Sequence, residues 1–302
     1  MKSSFSLHHF EESTQSLFDF QSTATAHGWV YLAPFEWEAT TQELRRVQRL
    51  HSGQVIRLRM RVEDETEQPR VHVTVESSQP LSAIEVAEVA RSVRRMLRLD
   101  ENLSEFYRLQ QQLGDWHLKL KPGGGRLLRC PTLFEDIVYT LCTTNINWTG
   151  TIRMVERLVA KLGEAFPGQP EWRAFPTPEA IVAAGPDFLK AETGLGYRSG
   201  YVWELAANVV SGQLDLAAFD NSDLAAEALH RDLRRLKGVG DYAAATILML
   251  LGRYERLAID SELRSFTSKK YFNGETPTDT QIKEIYAPWG VWQYLAYWFD
   301  AT

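Results

Sequence analysis

Two segments near the middle of the first third of the chain alternate apolar and polar side chains. In VIRLRMRV, from Val55, and in RVHVTVE, from Arg70, apolar groups occupy every second position. A period of two places all of them on one face of a pleated strand, so the pattern predicts two half-buried strands. From Leu81 the period changes. LSAIEVAEVARSVRRMLRL spaces its apolar residues as a helix does and ends on basic residues. The first 25 or so residues read as a polar arm. Together these features predict an N-terminal α+β domain over residues 1–115, with KPGGGR from Lys121 as a turn or hinge.

Helical spacing dominates residues 116–302. LFEDIVYTLC sets Leu133, Phe134, Ile137, Val138, Leu141 and Cys142 on one face, and TIRMVERLVAKL does the same with Ile152, Val155, Leu158, Val159 and Leu162. Between them lies TTNINWTG, rich in capping and turn residues. The most distinctive stretch is LKGVGDYAAATILMLL, from Leu236. Leu233 and Leu236 end one helical segment. Gly238 and Gly240 flank Val239 and can adopt backbone angles closed to other residues. Asp241 is placed to cap the next helix, in which Ala243 to Leu251 are small or apolar enough to be buried all round. The expected unit is helix, hairpin, helix, whose exposed amides suit a phosphate oxygen. Gly-x-Gly alone fits a helix C-cap and tight turn equally well.

Charge sharpens this picture. The 302-residue chain has a net charge of −6, yet nine basic and five acidic residues fall between Arg231 and Lys270. Arg234, Arg235 and Lys237 surround the hairpin. Backbone amides and cations of this kind grip phosphates without reading base sequence. Nine residues past the apolar stretch, a lone acid, Asp260, stands in RLAIDSELRSF where an N-cap is expected. Nothing in phosphate binding alone requires it. The two cysteines, Cys130 and Cys142, exclude a four-cysteine zinc or iron–sulfur site and suggest no disulfide framework. The start, MKSSFSLHHFEES, lacks the apolar core of a signal peptide, and no apolar run is long enough to span a membrane. A cytoplasmic protein with no membrane partner is the expectation.

Hairpin, buried helix and acid at this spacing resemble the helix-hairpin-helix (HhH-GPD) DNA glycosylases. RMLRLDENLSEFY, GGRLLRCPTLFEDIV, LCTTNINWTGTIRMVERLV, FPTPEAI, GLGYRSGYV and YAPWGVWQYLAYWF follow in the expected order, so the likeness covers roughly residues 96–299. It is most similar to the branch containing 8-oxoguanine DNA glycosylase and 3-methyladenine DNA glycosylase II. The resemblance implies an α+β fold: an N-terminal α+β (TBP-like) domain followed by a mostly α-helical HhH-GPD glycosylase region. It implies a monomeric base-excision-repair enzyme acting on double-stranded DNA that contains a damaged base. It suggests no organic cofactor, with a monovalent cation at the hairpin carbonyls as the one addition.

The same resemblance assigns roles. Asp260 is the catalytic acid of this superfamily, close to the positive charge that builds on the sugar. Relatives that also cut the strand carry a lysine two residues after the hairpin's last glycine, and its amine forms a Schiff base. Here that position is Tyr242, so a monofunctional enzyme is expected, with Tyr242 at the wall of the base pocket. A tyrosine merely packed under the hairpin is the plainer reading. Lys237, Gly238, Val239 and Gly240 hold the DNA backbone. Asn145 fills the gap left by a flipped base, with Asn147 as its neighbour, although loop asparagines are commonly turn formers. Tyr197 is a wedge and Arg198 a contact to the orphaned partner base.

Departures from the 8-oxoguanine pattern bear on the substrate. Gly150 replaces an arginine that reads cytosine, Tyr297 a glutamine that grips the damaged purine, and Glu262 a histidine. The stretch WGVWQYLAYWFD supplies Trp289, Trp292, Tyr294, Tyr297 and Trp298, at least half of them expected in the core. If Tyr297 and Tyr242 sandwich a flat base, their faces favour a cation. The expected substrate is therefore an alkylated purine such as 3-methyladenine. The alternatives are an 8-oxoguanine DNA glycosylase and a non-catalytic helix-hairpin-helix DNA-binding protein.

Overall fold

A computed structural model describes residues 5–14, 17–63, 69–114, 116, 118 and 120–301. The chain forms two compact units, each built from two stretches: Met1–Asp100 with Pro122–Leu216, and Glu101–Lys121 with Ala217–Thr302. The boundary expected near residue 115 marks a change in composition, and these units are a different division of the chain.

The first unit is built on a five-stranded antiparallel sheet, in the order β1-β5-β4-β3-β2. Its strands are β1 (Ser6–Ser13), β2 (Phe35–Glu38), β3 (Glu43–Arg49), β4 (Val55–Val62) and β5 (Arg70–Ser77). The two alternating segments are β4 and β5. Their register pairs Leu58 with Val75 and Met60 with Val73, all buried on one face. The helix Ala83–Leu97 begins with a capping box between Ser82 and Glu85 and buries Val89, Val93, Met96 and Leu97. Ser92 on this helix accepts a 3.0 Å hydrogen bond from Gln48 of β3.

The polar arm is a misreading. Ser6–Ser13 is an edge strand paired with β5 along its whole length, and Phe20–Thr25 is a short helix capped by Asp19. The more buried positions of β1 are Ser6, His8, Phe10 and Glu12. Three polar groups of four leave almost no apolar alternation to detect. A second small sheet, Ala165–Phe166 with Gln169–Arg173, was also silent in the sequence. Phe166 and Ala174 there bury against Val47 and Val55.

In helix Leu133–Thr143 all ten residues from Leu133 to Cys142 are buried, rather than one face of it. That includes two carboxylates. Glu135 pairs with the buried Arg46 at 2.6 Å. Asp136 accepts from the Cys130 amide at 2.9 Å and the Trp29 indole N–H at 3.2 Å, and pairs with Arg95 at 3.0 Å. Buried charges persist only when partnered in this way. Helices Trp148–Leu162, Pro178–Glu192 and Arg198–Val210 complete this unit.

The second unit is helical: Ser104–Gln112, Ala226–Leu233, Asp241–Leu250, Ser261–Tyr271, Asp279–Tyr286 and Gln293–Ala301. Mixed α+β architecture is thus confirmed for the chain. Both cysteines are buried and unpaired. Among the described residues, no helix is long and apolar enough to cross a membrane, and no group of acidic, histidine or cysteine side chains is arranged to hold a metal.

Candidate DNA-binding and base-release site

In the second unit, helix Ala226–Leu233 leads through the turn at Leu236–Gly240 into helix Asp241–Leu250. Gly238 has φ +83°, which a residue with a Cβ adopts only with strain. Lys237, Gly238 and Gly240 are exposed, whereas Val239 is buried. Val239 therefore anchors the hairpin from below, and its neighbours present the outer surface. Residues 243–250 are all buried, as their composition predicts.

Asp241 does not cap this helix. The N-cap is Gly240, in extended conformation (φ −83°, ψ −170°), and no side chain caps it. Asp241 is already the first helical residue, so its side chain points away from the amides it would have to meet. It bonds instead to Arg256 at 3.0 Å and lies 3.5 Å from His230. The helix start beside Lys237 therefore carries no side-chain acceptor of its own, and a phosphate oxygen suits such a place.

Asp260 occupies the N-cap of helix Ser261–Tyr271, where Oδ1 accepts a 2.8 Å hydrogen bond from the Leu263 amide. It is only partly exposed. Burial pushes its carboxyl above the usual aspartate range, with the Glu262 charge adding to the rise and the Leu263 N–H opposing it. Burial and then the Asp260 charge also raise the Tyr297 phenol, with Tyr242 contributing, which puts Asp260 and Tyr242 each within electrostatic reach of Tyr297.

Tyr297 is packed rather than open. Tyr294 lies parallel to it with centroids 6.0 Å apart, and Tyr286 meets it edge-on at 5.8 Å. Tyr242 is the more accessible ring. Of the remaining C-terminal aromatics, Trp289 is fully buried, and Trp292 and Trp298 are partly so. In the sequence Tyr294 is one of five C-terminal aromatics with no role of its own; its place at i−3 to Tyr297 is the signal that the two rings stack.

In the first unit, the loop after Thr143 turns at Asn145, which has φ +49°. Asn145 Nδ2 donates to the Tyr197 hydroxyl at 3.4 Å, and Tyr197 is 53% exposed. The structure brings these two side chains together. Asn147 instead caps helix Trp148–Leu162, accepting from the Gly150 amide at 2.8 Å. Arg198 is not presented to a base. It is only 5% exposed, and its guanidinium donates to the carbonyls of Leu141 and Thr144 while lying 4.5 Å beneath the Tyr197 ring. Arg198 thus holds the loop and the tyrosine in place. A Cβ at Gly150 would come within 2.4 Å of Ile146 Cδ1, so any larger residue there requires the exposed Ile146 side chain to turn away.

No family model matches the chain. It is 24% identical over 226 residues to the DNA-3-methyladenine glycosylase of Bacillus subtilis (strain 168), covering 72% of this chain and 73% of that protein. Its structure is similar to the 3-methyladenine DNA-glycosylase from Archaeoglobus fulgidus, with a TM-score of 0.74 at 22% identity over 96% and 97% of the two chains. It also resembles the apo form of the Clostridium acetobutylicum 8-oxoguanine glycosylase/lyase, with a TM-score of 0.67 at 15% identity over 99% of each. The homologues and structural neighbours therefore come from the glycosylase superfamily that the motifs resemble.

Proposed function

We propose that this chain, whose homologues and structural neighbours are DNA glycosylases, is itself a DNA glycosylase that hydrolytically removes an alkylated purine such as 3-methyladenine from double-stranded DNA. The observation that carries the reading is Asp260: a partly buried carboxylate, fixed at a helix N-cap and within electrostatic reach of Tyr297. Binding alone has no use for it. In base release, positive charge develops on the deoxyribose, and a fixed carboxylate stabilises that charge and orients a water. The target base must first leave the stack, which costs a few kcal/mol. Asn145 and Tyr197 supply the groups that fill its place. Lys237 and the helix start at Gly240 hold phosphate.

A purine methylated at N3 or N7 is cationic and is already a good leaving group, and an aromatic face attracts it. Tyr242 offers that face. Replacing it with Ala should weaken release of 3-methyladenine by about 5- to 150-fold, the equivalent of ~1–3 kcal/mol of stacking. Unchanged single-turnover release in that variant would remove Tyr242 from the pocket.

The reaction should leave an abasic site in an intact strand, because a phenol at position 242 cannot form an imine. Duplexes each carrying one lesion, incubated with the protein and resolved with and without alkali, test both points. Bands should appear only after alkali, and borohydride should trap no covalent complex. A trapped complex would show a second nucleophile. Efficient cutting opposite cytosine at 8-oxoguanine, with methylated DNA left untouched, would instead favour the oxidised purine.

Several finer features belong to the same reading: a TBP-like N-terminal domain, supported by the antiparallel sheet with helix Ala83–Leu97 on it, and a monomer working in the cytoplasm. Base release as proposed uses no organic cofactor.

A further inference from the structure

We infer that Asp300, in the last helix, is a positioning residue that sets where the Tyr297 wall stands relative to Asp260. The inference rests on the glycosylase reading for its functional consequence, but its geometry stands independently. Asp300 is 3% exposed. Its Oδ1 pairs with Lys270, and its Oδ2 accepts from the Tyr271 hydroxyl at 2.6 Å and the Tyr286 hydroxyl at 3.0 Å. Three donors from two other helices converge on one carboxylate of a third.

Only a carboxylate suits this place. It offers two acceptor oxygens and no donor, so all three partners are satisfied at once. The elements it joins are the ones that carry the chemistry. Helix Ser261–Tyr271 bears Asp260 at its N-cap and Lys270 and Tyr271 at its other end. Helix Gln293–Ala301 bears Tyr297 one turn before Asp300, on the same face. Tyr286, the third donor, also meets the Tyr297 ring edge-on. Phe266 on the Asp260 helix lies 6.3 Å from that ring. A rotation or slide of the last helix would therefore move Tyr297, and Asp300 is what resists it. A displacement of about 1 Å at a reacting centre costs up to ~100-fold in rate.

Asp300→Asn tests this, because it keeps the shape but turns a donor toward either Lys270 or the two tyrosines. Three measurements are made on the full chain: single-turnover base release corrected for the folded fraction, affinity for an abasic duplex, and the fluorine resonance of 3-fluorotyrosine placed at position 297. Base release should fall by about 10- to 100-fold, affinity should be unchanged, and the fluorine line should shift and broaden. A lower melting temperature with line and rate unmoved would make Asp300 a residue of the fold only and overturn the inference. An unmoved line overturns it whatever the rate does. Wild-type protein that releases no base from any lesion would sink the glycosylase reading instead, and the fluorine line would still decide the positioning role. If Asp300→Asn does not fold, Tyr271→Phe removes one donor, leaves the charge pair with Lys270, and is read by the same line.

Discussion

Asp260→Asn should reduce base release by about 100- to 1000-fold or more while leaving duplex affinity within a small factor. The substitution changes little besides charge. Asparagine caps helices as well as aspartate does, so the bond from the Leu263 amide to Oδ1 persists. The side chain stays where it is, and the negative charge that faces the developing sugar cation is gone. Single-turnover release from a lesion-bearing duplex, measured alongside binding to the same duplex with an abasic site, separates the two effects. Release retained within tenfold would move the catalytic role away from Asp260, whose N-cap geometry would then be its whole purpose.

The same residue links activity to pH and to stability. Burial raises its carboxyl above the ordinary aspartate value. The charged form is therefore less favourable in the folded chain than in the unfolded one. At neutral pH this opposes folding, and the penalty is relieved as pH falls through the raised value toward the unfolded one. Asp260→Asn should accordingly be as stable as the native protein at pH 7, or slightly more so. Activity should run the other way, falling on the acid side at a pH above the usual aspartate range as the carboxylate is protonated. A variant that is both inactive and clearly less stable at neutral pH would contradict this balance. Trading stability for an isolated functional charge is a common arrangement at active sites.

What the sequence made legible follows from how each signal is written. β4, β5 and the helix Ala83–Leu97 were visible because their apolar groups keep one period throughout. The hairpin was visible because Gly238 and Gly240 permit backbone angles that residues with a Cβ avoid, as Gly238 does at φ +83°. β1 was not, because its inward positions are mostly polar and its place is fixed by pairing with β5. The cap at Asp241 failed because the helix begins one residue earlier than the spacing implied: Gly240 is the N-cap, and Asp241, inside the first turn, pairs with Arg256 fifteen residues later. Arg198 shows the limit most clearly. A motif names the residue, yet only packing reveals that its guanidinium is spent on the carbonyls of Leu141 and Thr144. Asp300 has no local signature at all, since its three donors lie 14 to 30 residues away.

Asp136→Asn should destabilise the first unit by about 3–5 kcal/mol, the usual cost of breaking a buried ion pair from one side. Asp136 is fully buried in helix Leu133–Thr143, with Arg95 at 3.0 Å and Arg129 at 3.7 Å. Its other oxygen holds the Cys130 amide and the Trp29 indole. The amide keeps the volume and one acceptor, so no cavity forms. It removes the charge that balances two guanidinium groups, and it sets an N–H donor against either the arginines or the Cys130 and Trp29 donors. Arg95 belongs to the helix that packs on the sheet, Trp29 to the turn before β2, and Cys130 to the segment leading into the buried helix. One carboxylate therefore joins three parts of the unit that no apolar periodicity connects. Urea unfolding followed by tryptophan fluorescence should show the midpoint lowered with little change in slope. A loss below about 1 kcal/mol would mean that water or a relaxed arginine replaces the missing charge, and that the apolar surfaces alone hold the sheet to the helix.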